Sequence, residues 1–111
     1  FLTRIRAEGA AGSEETIACL DALAAPLAPV GADSVYAGWA GVDIRPLVEQ
    51  GVPGVGHRVH GEDYFRYHHG PADVYEAIDP DHLAANVAAV AGFSYAVADS
   101  PRPVPRPQKD D

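Results

Sequence analysis

A chain of 111 residues that is 47% hydrophobic has room for one domain around one core and is too apolar for compositional disorder. Sixteen acidic against eight basic side chains give a net charge of −8, which argues against a nucleic-acid face and against docking on anionic membranes. No apolar run approaches the ~20 residues of a transmembrane helix, and the single cysteine, Cys19, leaves no internal disulfide and no cysteine zinc knuckle.

The chain opens on Phe1-Leu2-Thr3-Arg4, without an initiator methionine or the apolar run of a signal peptide, and reads as a piece whose start lies upstream. Gly9 to Gly12 is small and reads as a loop. A helix follows from Ser13 to Leu27. Ser13 is its N-cap, and Glu14 and Glu15 sit in the first turn, where the helix dipole favours acids. Ile17, Leu20, Leu23, Ala24 and Leu27 form one stripe at helical spacing, and Pro26 and Pro29 close the helix. Cys19 reads as a packing residue rather than a reactive thiol.

Asp33 to Trp39 predicts a short strand. Asp43 then reads as the cap of a short helix carrying Ile44, Leu47 and Val48, with Gly51 as its stop. "VPGVGHRV" predicts a second strand, whose glycines let another backbone come close. After the stretch "YFRYHHGPADVYEA", Asp79 and Pro80 open a long alanine-rich helix to Asp99. Its buried stripe reads as Leu83, Val87, Val90, Ala91 and Val97. Residues 100–111 are proline-rich and predict a disordered tail.

Strands alternating with helices indicate an α/β layered fold with a mostly parallel sheet flanked by helices, over residues 1–99. Two strands leave sheet edges unpaired. Further strands from elsewhere, self-association into a homo-oligomer, or docking on a partner chain are expected to cover them.

Three blocks then stand in a telling order: "GVDIRPLVEQGVPG", "YFRYHHGPADV", and "IDP" with its long helix. Their order and spacing resemble the C-terminal part of co-catalytic zinc exopeptidases, the family of aminopeptidase Y, bacterial leucyl aminopeptidases and carboxypeptidase Q, with the last branch nearest. The resemblance spans about Gly12 to Asp99. It implies peptide or dipeptide hydrolysis at a chain end by two zinc ions, held by two histidines and three carboxylates, with a glutamate as general base. It also implies a secreted, periplasmic or lysosomal setting. Carried over position by position, one metal ligand is present, His69, with Asp73 as the acid four residues on. The other ligands and the base belong upstream.

The match is not complete. Gly70 and Val74 stand where relatives often carry hydroxyl residues, and Trp39 holds the spacing from Asp43 at which some aminopeptidases place a tyrosine. Carboxypeptidase Q lacks that tyrosine too, which favours its branch.

Read from the residues alone, His69 is a surface or core histidine in an aromatic cluster; the resemblance makes it a zinc ligand. On extended backbone His68 and His69 point to opposite sides, so only one faces a metal. Asp73 either orients the ligand loop or is a turn acid. Asp43 caps its helix or shapes the cleft. Tyr64, Phe65 and Tyr67 pack in the core or form a rim for an apolar substrate side chain. His57 and His60 fall on opposite faces of a strand and read as surface or cleft-lining residues, not a shared metal site. One imidazole predicts at most weak zinc binding and no peptidase activity in this chain alone. The rival reading is a non-catalytic interaction module of the same fold, as in transferrin-receptor-like relatives. A third is a small independent acidic binding protein.

Overall fold

Ile5–Ala11 forms the central strand β1, where the sequence suggests only a loop from Gly9. The structure is a computed structural model that describes residues 5–61 and 63–106. The opening four residues and the end of the proline-rich segment, from residue 107, lie outside them. Glycine and alanine rank low for strand formation, which hides β1 from a propensity reading. A central strand gains a hydrogen-bonded ladder on both edges. Val35–Ala37, β2, pairs with it in parallel, with Glu8 opposite Val35 and Ala10 opposite Ala37. Gly54–Val59, β3, pairs on the other side in the antiparallel sense, with Ala10 opposite Val55. The order β2-β1-β3 makes a small mixed sheet in an α/β fold flanked by helices.

Helix α1 spans Glu14–Ala24 and begins where Ser13 predicts. The Ser13 hydroxyl oxygen accepts the Thr16 amide at 3.2 Å. The two proline-bearing turns after it tighten into a 3-10 segment, Ala25–Val30, which ends on Gly31 at φ 75°. The α1 side chain of Asp21 accepts the Val35 amide at 2.7 Å and so pins the start of β2 to the helix.

Ala10, Leu20, Ala24, Val35 and Phe93 are the buried core. It joins β1, α1, β2 and helix α4, Pro80–Ala98. The face that α4 buries overlaps the expected stripe only in part, for Val97 packs against the core and Leu83 is half-buried. Asn86, Ala89 and Phe93 point inward, while Val87 and Val90 are 58% and 50% exposed and Ala91 is exposed. An alanine-rich helix is apolar nearly all round, so its pattern does not select a face. Asn86 is buried because it has partners. Its Oδ1 meets His57 Nε2 on β3 at 2.6 Å, and its Nδ2 donates to the His82 carbonyl at 2.6 Å.

The start of α4 follows the sequence closely. Asp79 accepts the amides of Asp81 and His82, each at 2.9 Å, and Pro80 occupies the first turn. The His82 amide is the main cause that holds the Asp79 carboxyl below the ordinary carboxylate range, ahead of the smaller opposing effect of burial. A depressed folded-state pKa contributes stability that is present above the unfolded pKa and lost as pH falls through the folded one. Thermal melts of wild type and Asp79→Asn from neutral pH into the acid range should therefore converge at low pH. Asparagine keeps the cap but cannot titrate. Equal acid sensitivity of the two proteins would contradict this role.

Helix α2, Arg45–Val48, packs against β3, but Asp43 does not cap it. Ile44 takes the capping position and no side chain bonds the first turn. The close backbone approach expected at the glycines of β3 is present. A Cβ on Gly56 would lie 2.8 Å from the Trp39 carbonyl oxygen, and the Arg58 guanidinium donates to that same oxygen.

The proline-rich segment does not stay loose throughout. Val104 packs against the core, and the Pro105 carbonyl accepts the Thr16 hydroxyl at 2.8 Å. Thr16 is fully buried. With its proton committed to Pro105, its oxygen can accept from the Ser13 hydroxyl, 2.8 Å away, while Ser13 accepts the Thr16 amide. No described helix is long and apolar enough to cross a membrane.

Candidate functional site

The histidine stretch is a single helical turn, α3, Tyr64–Tyr67, followed by a sharp reversal. Asp63 precedes it without a side-chain cap. His68 leaves the helix at φ −49° and ψ 117°, and its amide still donates to the Tyr64 carbonyl at 2.9 Å. His69 then takes φ 54°, the left-handed region. Among the described residues it is the non-glycine residue with positive φ. Histidine visits this region more readily than most residues, but the conformation is uncommon and costs energy.

The expected divergence of the two histidines does not occur, because the backbone is not extended. Their rings lie 3.9 Å apart, tilted by 46°. Tyr64 stacks on His68, with centroids 4.3 Å apart and planes 25° apart. The Tyr64 hydroxyl is 3.2 Å from His68 Nε2. Phe65 meets the Tyr64 ring edge-on at 5.1 Å and is 88% exposed, so it is not a core residue. Tyr67 is half-buried, with the Arg66 guanidinium 5.9 Å from its ring centre. His68 is half-buried and His69 exposed.

Asp73 lies on the surface. Its amide closes a turn onto the Gly70 carbonyl at 3.0 Å. Asp43 is exposed on a different segment, ahead of α2. Sequence reasoning missed the role of His57, which ties β3 to α4 through Asn86. A polar residue two turns before Phe93 on the same helix face was the available signal, since a buried amide needs a partner. His60 is exposed.

A metal places a chemical demand on these side chains. His69 offers one exposed imidazole, which fits one coordination position. Among the described residues no group of three or more histidine, cysteine or carboxylate side chains converges to hold an ion. A zinc site takes three or four protein ligands. The described residues therefore do not gather a full set of zinc ligands among themselves.

No protein-family model matches the chain. Carboxypeptidase Q of Rattus norvegicus and of Homo sapiens are each 32% identical to it over 95 residues, 86% of this chain. The same protein of Bos taurus is 30% identical over 95 residues. The chain spans about one fifth of the length of these curated relatives, 20% in each case. The crystal structure of a peptidase M28 precursor from Shewanella amazonensis superposes with a TM-score of 0.84 at 30% identity, over 97% of this chain and 25% of that one. The 111 residues are thus similar in sequence to part of carboxypeptidase Q and in architecture to part of a peptidase M28 precursor.

Proposed function

We propose that the chain is part of a zinc-dependent exopeptidase that hydrolyses terminal peptide bonds, and that His69 is the metal ligand it contributes. The observation that carries this reading is the similarity to carboxypeptidase Q along 86% of the chain. The name of those relatives favours the carboxypeptidase side of the exopeptidase class over the aminopeptidase side. The left-handed backbone at His69 supports the assignment, because such strain is retained where a site uses it. Two zinc ions in the complete enzyme would activate a water and polarise the peptide carbonyl, with their other ligands and the general base coming from residues outside these 111. The part played here is to present one neutral ring nitrogen at a fixed place.

The test uses the protein that carries the complete peptidase domain. His69→Ala should lower its bound zinc and abolish release of a terminal residue from a peptide. The 111-residue chain supplied with zinc should release none. If His69→Ala keeps both zinc and activity, the ligand assignment is wrong. If the wild-type domain binds no zinc, the interaction-module reading replaces this one.

A further inference from the structure

We infer that Tyr64 and His68 are positioning residues for His69: they form a column of rings that fixes its imidazole before any ligand binds. The inference rests on the reading of His69 as a ligand. It starts from a difficulty that His69 presents. An exposed imidazole on a reversing loop has several rotamers open to it, and a binding event must freeze one of them. Freezing it in advance removes that cost from binding.

The structure supplies the means through local sequence. Tyr64 and His68 are four residues apart, so one helical turn brings them to the same face. Their rings stack at 4.3 Å, and the Tyr64 hydroxyl adds a polar contact to His68 Nε2 at 3.2 Å, with the donor set by the tautomer. Phe65 abuts Tyr64 edge-on, a favoured arrangement for two rings. The turn of backbone at His68 and the left-handed step at His69 then lay the second imidazole against the first, at 3.9 Å. A next residue on extended backbone would turn its ring away. The strained φ of His69 is therefore what brings the ring to the end of the column.

Metal affinity in the complete peptidase domain, measured by competition with a chromogenic chelator on zinc-free protein, tests the column without recourse to activity. His69→Ala establishes the ligand. His68→Ala should weaken zinc binding by about 10–100-fold, the usual effect of removing a ligand's support. His68→Phe keeps a flat ring and loses the nitrogens, and it should recover most of that loss. His68→Gln keeps polarity without a ring and should not. If His69→Ala weakens zinc binding and His68→Ala does not, the positioning role is wrong while the ligand stands. If His68→Gln rescues and His68→Phe does not, a polar contact rather than the ring column acts on His69, and the inference is again overturned. Should His68→Ala fail to fold, the Phe and Gln variants decide alone. Unchanged affinity in His69→Ala removes the ligand and its support together.

Discussion

Leu20→Ala should lower the stability of the chain by about 2–5 kcal/mol, the range for emptying a buried leucine site. Leu20 is 2% exposed, on the face of α1 that meets the rest of the core. It also borders an apolar groove of about 440 Å³ that opens to solvent, shared with Val55, Phe93, Val97 and Val104. Truncation would extend that groove into the core, and the neighbours are drawn from three separate segments that cannot all collapse onto it. Domains of this size are stable by only about 5–15 kcal/mol, so the loss removes a large share of the total. Chemical denaturation of wild type and variant, compared by their midpoints at constant slope, reads the effect directly. A loss under about 1 kcal/mol would show that the vacated space is closed by rearrangement or that Leu20 is not central.

A chain ending at Asp99 should be less stable by about 2–4 kcal/mol. Burying a valine such as Val104 is worth about 1.5–3 kcal/mol when complete, and a hydrogen bond such as that from Thr16 to Pro105 about 0.5–1.5 kcal/mol. Val104 is half-buried, which places the valine share toward the lower figure. Thr16→Val in the full chain separates the two contributions. It keeps the shape, removes the hydroxyl with its contact to Ser13, and leaves the half-buried Pro105 carbonyl without its donor. Val104→Ser removes the apolar contact instead. Unchanged melting in the truncated chain would mean that the segment lies on the core without stabilising it.

The fold was legible in the sequence where a local rule and the tertiary context agree. Asp79-Pro80 fixes the start of α4 because a capping carboxylate and a residue without an amide hydrogen both belong there. Ser13 does the same for α1. The paired prolines mark the change to 3-10 geometry. It was not legible where context overrides local preference. β1 is built from "IRAEGAA", a strand by position between two partners and not by composition. The buried face of α4 could not be chosen among so many alanines, and Asn86 marks it better than any valine. At the candidate site it was the family resemblance, matched on the spacing to Asp73, that singled out His69; the residues alone did not. The left-handed step that brings its ring against His68 follows from no propensity of histidine strong enough to predict it.

The position of β1 at the centre of the sheet has a bearing on how the chain is made. It precedes both of its partners in sequence, and its antiparallel ladder with β3 cannot close until Val59 has left the ribosome. The Thr16–Pro105 bond joins residues 89 apart. During synthesis the middle strand emerges with both edges bare, and the contacts of Val104 and Pro105 can form only after all three strands have emerged. Non-local pairing of this kind makes folding slow compared with helix formation. Helix α1 can fold on emergence, while the sheet and its cover wait for nearly the whole segment, which leaves an interval when bare strand edges invite association with other nascent chains.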